Sequence, residues 1–343
     1  MPLQNTRITL ASRPVGMPTP DNFALETVEL PPLADGQLLV ETRFISLDPA
    51  MRGWMAAGKS YIRPVEIGEV FRAGCAGQII ESEHPGFRAG EFVTGNWGVQ
   101  QFALLDGADA MNQAGPGGLH RVDTRLAPLE AYLATLGMPG LTAYFGLLNT
   151  GQPREGDTVV VSGAAGAVGS VVGQIARLKG CRVVGIAGDQ QKVDYCVREL
   201  GFDACINYKT EDVRTSLRAA CPQGIDVYFD NVGGDILDLA LEQIRPRARI
   251  VICGAISQYN NTTPVKGPSN YLALLVNRAR MEGIVVFDNA AHYGAATREM
   301  AGWMQEGKLK APKIQVEHGL ENFLPALLKL FSGANFGKLV LAP

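Results

Sequence analysis

The stretch 158–180 constrains this chain more than any other. An apolar, β-branched run TVVVS leads directly into Gly163-Ala164-Ala165-Gly166-Ala167-Val168-Gly169, and an apolar helical stretch, SVVGQIARLKG, follows at once. A strand, a glycine turn and a helix in that order let backbone approach a pyrophosphate, whose charge then lies against unpaired N–H groups at a helix N-terminus. No large side chain fits such a turn. The competing reading is a tight packing turn without a ligand, and the surrounding pattern decides between them. Further strand-like runs at 182–187 (RVVGIA), 205–208, 226–231 (DVYFDN), 249–253 (RIVIC) and 283–287 (GIVVF) are separated by helical stretches. Six such strands predict a doubly wound parallel sheet covered on both faces, the Rossmann dinucleotide fold.

The end of the second strand chooses the dinucleotide. An acid there accepts from a free ribose hydroxyl, and a cation pairs with a 2′-phosphate. The local sequence is Ala187-Gly188-Asp189-Gln190-Gln191-Lys192. Asp189 has the spacing of an NAD-type acid, about 20 positions after the last glycine of the turn. Lys192 lies on the first turn of the next helix, within reach of a phosphate, and equally reads as a solvated helix charge. The two residues argue oppositely, and from the residues alone the choice stays open.

At 343 residues the chain is long enough for about two domains at roughly 150 residues each. Residues 1–134 read as short β-like runs (QLLVETRFISL, AGQIIES, EFVTGNWGVQQFALL) broken by Pro, Gly and Asp turns. Residues 135–311 hold the alternating α/β pattern, ending in a helix over 290–306. The tail, 312–343, returns to β character at KIQVEH, passes through a helical stretch at 320–332 and closes with NFGKLVLAP, which predicts that it rejoins the first domain.

Thirty-one Lys and Arg face 34 Asp and Glu, without a dense basic run, which argues against nucleic acid as a partner. The six cysteines, at 75, 181, 196, 205, 221 and 253, show no disulfide spacing and read as small buried hydrophobes in a reducing compartment. No apolar stretch reaches the ~18 to 20 residues that cross a bilayer, and the N-terminus lacks a signal-peptide core, so a cytoplasmic protein is expected.

Several segments together carry a family resemblance: LGMPGLTAYFGLL, GAAGAVGSVVGQIARLKGCRVVGIAG, NYK at 207–209, FDNVGG at 229–234, CGAISQYN at 253–260, the terminal NFGK, and Asp48-Pro49-Ala50-Met51-Arg52-Gly53 with Ser60-Tyr61. The chain resembles the zinc-independent medium-chain dehydrogenases/reductases, in the branch of NADPH-dependent prostaglandin, 2-alkenal and curcumin reductases. The resemblance spans essentially the whole chain. It implies a chaperonin-10-like β domain from 1–134 plus the tail, a Rossmann domain, NADPH held in the cleft between them, and a homodimer. It also implies that Lys192 and Tyr208 hold the 2′-phosphate, and that Met138 and Thr142 contact the nicotinamide side. Asn231 is expected at the adenosine half, while Cys253, Gly254, Ala255, Ile256, Ser257 and Tyr259 pass beneath the cofactor, with Val285, Val286 and Asn335 completing its contacts. Asp189 departs from the small residue usual at its position.

The fold also serves zinc dehydrogenases, but catalytic zinc needs about three Cys, His or carboxylate ligands from the β domain. The first 150 residues hold one cysteine, Cys75, and neither His84 nor His120 has ligand spacing. Without a Lewis acid, alcohol oxidation loses its usual driver. Hydride transfer to the β-carbon of an α,β-unsaturated ketone or aldehyde needs alignment and a donor for the charge appearing on the carbonyl oxygen. Tyr259, just past the fifth strand, is the first candidate for that donor, and Tyr61, a substrate-side phenol, is the second. Arg52 reads either as a phosphate ligand or as a carboxylate partner. A substrate pocket lined by Met51, Trp54, Met55, Tyr61 and Tyr259 is expected. The helical stretch from Tyr271, YLALLVNRARM, is expected as a dimer face or a pocket wall. The rival functions are quinone reduction with the same cofactor and NADPH binding without turnover.

Overall fold

A computed structural model describes residues 3–107 and 118–343. The chain divides into two compact units, one formed by residues 1–133 with 314–343 and the other by 134–313.

The second unit is built on six parallel strands, β8 (Thr158–Ser162), β9 (Arg182–Ala187), β10 (Ala204–Asn207), β11 (Ile225–Asp230), β12 (Ile244–Ile252) and β13 (Arg280–Gly283). They stand in the order β10-β9-β8-β11-β12-β13, the doubly wound arrangement, and reverse direction of winding between β8 and β11. Every residue of β8 and of β11 is buried, as a central strand covered on both faces requires. Helices Gly169–Leu178, Val213–Ala220 and Gly234–Leu241 supply the crossovers. Two strands match the sequence expectation to the residue, β8 and β9, while β10 and β11 each begin and end one position earlier than expected.

The last two strands differ more, for identifiable reasons. β12 begins five residues before the expected 249, because Arg245, Pro246 and Arg247 interrupt its apolar signal while its backbone stays in the sheet. The expected strand over 283–287 is displaced to Arg280–Gly283. Its pairing runs from Arg249 opposite Arg280 to Ile252 opposite Gly283, after which β12 ends. The apolar run Ile284-Val285-Val286 therefore has no ladder to extend, and Val286–His292 turns into a 3-10 helix ahead of the helix Tyr293–Gln305.

The first unit is mainly antiparallel β. Strands β1 (Gln4–Leu10) and β2 (Phe23–Glu29) pair with each other. A seven-stranded sheet contains β3 (Gln37–Ser46), β4 (Cys75–Ser82), β5 (Phe92–Gly95), β6 (Phe102–Asp106) and β7 (His120–Arg121). The tail adds β14 (Ile314–His318) and β15 (Lys338–Ala342), and β15 pairs antiparallel with β3 at Val340 opposite Ser46. Phe23, Phe71 and Phe323 meet edge-on and tilted at 5.3 to 5.5 Å in the core. A buried lysine fastens the tail: Lys338 Nζ donates to Ser46 Oγ (2.5 Å), Leu47 O (3.0 Å) and Asp48 Oδ1 (2.7 Å).

One sequence expectation is corrected here. Met51 and Met55 do not line a pocket, because both are fully buried in this core, with Trp54 packed half-buried against it. Arg52, read from the sequence as a phosphate ligand or a carboxylate partner, is engaged with main-chain carbonyls of its own unit. Its guanidinium, buried and held below its usual pKa by desolvation, donates to the carbonyls of Gly16 (2.9 and 3.0 Å) and Pro14 (3.3 Å). All six cysteines are free thiols, four buried and Cys205 and Cys253 half-buried. Among the described residues no helix is long and apolar enough to cross a membrane.

Candidate cofactor site

The site grows from the C-terminal edge of the parallel sheet. Leaving β8, the chain turns at Gly163, whose φ of +62° favours glycine, and Gly166 N–H closes the turn on Gly163 O at 3.0 Å. A Cβ on Gly169 would stand 2.3 Å from Gly163 O, so the helix can start against the strand only without a side chain there. Ala164 and Ala165 pack inward, Ala164 N–H reaching Ile186 O at 3.0 Å, which leaves Gly163, Gly166, Ala167 and Val168 half-exposed. A cradle of small residues ahead of a helix suits a pyrophosphate.

Next to it, β9 ends at Ala187 and the chain passes through buried Gly188 to Asp189. The two residues that the sequence sets against each other are partners. Asp189 caps the helix Gln190–Asp194, its Oδ1 accepting from Lys192 N–H at 2.9 Å, while its Oδ2 stands 3.6 Å from Lys192 Nζ. The Lys192 side chain is only 11% exposed against 46% for Asp189, so it is not a solvated helix charge. Burial lowers the Lys192 pKa, Asp189 partly restores it, and repulsion from Lys209 lowers it again. Tyr208, exposed just beyond β10, lays its ring beside Gly188, where a Cβ would stand 3.0 Å from a ring carbon and 3.1 Å from the hydroxyl. Two cations and a phenol thus converge at the ends of β9 and β10, a donor set that fits a phosphate dianion.

At the ends of β11 and β12 the expected residues also come together. Asn231 donates through Nδ2 to Ser162 O at 2.8 Å, joining the end of β11 to the end of β8. Ile256 N–H reaches Asn231 O (3.3 Å), and Ser257 donates to Val232 O through both N–H (3.1 Å) and Oγ (2.6 Å), tying the segment after β12 to the turn after β11. Cys253 is pushed up to about 12 by burial and by the nearby Asp230 charge, so it stays a neutral thiol rather than a nucleophile. Tyr259 follows a 3-10 turn, Ile256–Gln258, and bends back over Gly254, where a Cβ would lie 2.7 Å from the phenol oxygen. That oxygen accepts from Ala255 N–H at 3.1 Å.

Met138 and Thr142 share one face of the helix Met138–Phe145, which packs against Gly169–Leu178, and Thr142 Oγ1 donates to Met138 O at 2.8 Å. Val285 is half-buried and Val286 buried just past β13. Tyr61 and Asn335 belong to the other unit: Tyr61 is 56% exposed in a bend, and Asn335 Nδ2 donates to Gly337 O at 3.4 Å. Sequence reasoning missed Lys209 and the buried pair Ser162 and Asp230. The signal for the pair is an acid directly after the apolar run Val227-Tyr228-Phe229 at the end of β11. No group of three or more His, Cys, Asp or Glu among the described residues is arranged to hold a metal ion.

Comparisons with known proteins follow the same two-part division. Residues 6–112 match a family described as the N-terminal domain of oxidoreductase, and residues 167–303 match one described as zinc-binding dehydrogenase. The NADPH-dependent curcumin reductase of Escherichia coli (strain K12) is 40% identical over 343 residues, covering 98% of this chain and 96% of that protein. Prostaglandin reductase 1 of Sus scrofa is 40% identical over 340 residues, 97% of each. The crystal structure of CurA from Vibrio vulnificus in complex with NADPH superposes with a TM-score of 0.90 at 42% identity, covering 98% of both chains.

Proposed function

The chain belongs to the medium-chain dehydrogenase/reductase family, in the branch of NADP-dependent oxidoreductases that holds curcumin reductase and prostaglandin reductase 1, and on that premise we propose that it uses NADPH to reduce the C=C bond of α,β-unsaturated ketones and aldehydes. The observation that carries this reading is one sheet edge bearing a glycine cradle, a buried Lys192 beside Tyr208 and Lys209, and a phenol, Tyr259. The cradle takes the pyrophosphate, and Lys192 with Tyr208 holds the 2′-phosphate. Bound NADPH would supply the hydride that reaches the β-carbon. Tyr259 donates to the carbonyl oxygen as negative charge builds there, directly or through the ribose hydroxyl, and serves the proton that reaches the α-carbon. Tyr61 is the substrate-side phenol of this reading. The chemistry is metal-free, in a cytoplasmic protein.

A panel of short enals, aryl enones and quinones tests this, with NADPH consumption followed at 340 nm and a deuterated cofactor tracing the hydride. Turnover of enones with deuterium on the β-carbon, undiminished after exhaustive chelation, is the expected result. Quinone turnover without enone turnover would favour the quinone reductase alternative. NADPH binding without turnover of any of them would favour a non-catalytic role.

The exposed side chains of Tyr271, Leu272, Leu275 and Val276, 59, 56, 74 and 67% accessible, lie on and just before the helix Leu272–Asn277 that precedes the edge strand β13, and we propose that they bury themselves in a homodimer. Sedimentation velocity should show a dimer of the 36.7 kDa chain, and the double variant Leu275→Glu, Val276→Glu should sediment as a monomer. A parent protein that is monomeric at micromolar concentration would rule the dimer out.

A further inference from the structure

We infer that Asp230 is a positioning residue for the cofactor, holding three of the strand ends that form its site, those of β8, β11 and β12, in one register. The inference rests on the reading of this sheet edge as the NADPH site.

Asp230 is the last residue of β11, the strand between β8 and β12, and is 1% exposed. One carboxylate oxygen, Oδ1, accepts from Ser162 Oγ (2.9 Å), Tyr228 OH (3.1 Å), Val232 N–H (3.0 Å) and Gly233 N–H (2.9 Å). Its main-chain oxygen accepts from Cys253 N–H (2.9 Å) and Gly254 N–H (3.1 Å). Ser162, the residue immediately before Gly163, in turn accepts from Asn231 N–H at 2.9 Å. A single residue therefore fixes the start of the glycine turn, the turn after β11, and the start of the segment that leads to Tyr259.

Stability alone does not account for this carboxylate. Oδ2 is buried with no hydrogen-bond partner, and no ion pair to Asp230 is present among the described residues. Burial raises the carboxyl's pKa, and the surrounding donors only partly draw it back. A buried acid without a cation is costly, and desolvation of its unpartnered oxygen offsets part of what the four hydrogen bonds contribute. What the four donors gain is direction. The turn they grip continues through Gly233 and Gly234, at φ +70° and +59°, and carries Asn231. The same strand supplies an internal control at its other end. Asp226 is 7% exposed, accepts from Thr158 N–H at 2.9 Å and pairs with Arg245 at 3.1 Å, joining the same strands where no cofactor segment begins.

The test compares NADPH dissociation constants, measured by titrating the cofactor's fluorescence without substrate, with melting temperatures. Asp230→Ala and Ser162→Ala should each weaken NADPH binding about tenfold or more, as expected when a network orienting several ligand-contacting groups is opened. Asp230→Asn, whose amide oxygen keeps two acceptor lone pairs at the same place, should recover part of the loss. Asp226→Ala should lower the melting temperature while NADPH affinity stays within about twofold of the parent. If Asp230→Ala does not fold, Ser162→Ala carries the comparison. Parent-like NADPH affinity in Ser162→Ala would overturn the inference, as would a loss in Asp226→Ala that tracks its melting temperature as closely as the other variants do. A parent protein that does not bind NADPH would overturn the reading of the site itself.

Discussion

Lys192→Ala weakens NADPH binding about 10- to 100-fold and leaves NADH binding within about twofold of the parent. A hydrogen bond to a charged group contributes about 1.5 to 3 kcal/mol, which corresponds to that range, and only NADPH carries the 2′-phosphate that Lys192 would meet. The side chain's burial strengthens the expectation, since its ammonium is partly stripped of water and its pKa is lowered by desolvation. An incoming phosphate would restore that favourable environment, whereas the ribose hydroxyl of NADH would not. Asp189 opposes selectivity from the same position, its carboxylate lying 3.6 Å from the Lys192 nitrogen. Asp189→Asn keeps a side-chain oxygen to cap Lys192 N–H and removes the negative charge beside the phosphate. It should therefore move the ratio of kcat/KM values further toward NADPH. Dissociation constants and kcat/KM for both cofactors across the two variants check this. An equal loss of NADPH and NADH in Lys192→Ala would show that the lysine supports the helix Gln190–Asp194 rather than the phosphate.

The two strands on either side of the first crossover helix are legible because their runs are bounded by turn residues, Asp157 and Gly163 for one and Gly180 and Gly188 for the other. β12 is harder, since Arg245, Pro246 and Arg247 give it the look of a loop, and its pairing with β11 at Ile244 opposite Ile225 resumes only at Arg249 opposite Val227. β13 misled in the opposite sense: the most apolar residues of its neighbourhood lie where the partner strand has already ended. In the site, residue types point to Lys192 and Tyr259 and the family resemblance to Tyr208, but neither points to the pairing of Lys192 with Asp189, which depends on a capping geometry three residues long. The Ser162–Asp230 bond joins residues 68 apart in sequence, and Lys338 reaches Asp48 across 290. Contacts of that kind follow from topology, and residue spacing carries no trace of them.

Tyr259→Phe lowers kcat for enone reduction by about 10² to 10³ while NADPH affinity changes little. Loss of one preorganised donor at a developing oxyanion costs about 3 to 4 kcal/mol, because the bond strengthens only as charge accumulates. The substitution keeps the ring and its place over Gly254, and removes the phenol oxygen that accepts from Ala255 N–H at 3.1 Å. Freeing that N–H has its own effect, so affinity and melting temperature are measured beside the rate. A purely local packing role predicts a small drop in melting temperature with kcat unchanged. A donor role predicts the reverse split, with kcat and kcat/KM for the enone falling together. A deuterated cofactor shows whether hydride transfer limits the rate in both proteins, so that a slow product release does not mask the change. Should the ribose hydroxyl or a water take over the donation, the loss shrinks toward the lower end of the range. An unchanged rate in Tyr259→Phe, with a full isotope effect on hydride transfer, would remove Tyr259 from the chemistry and leave Tyr61 as the phenol to test.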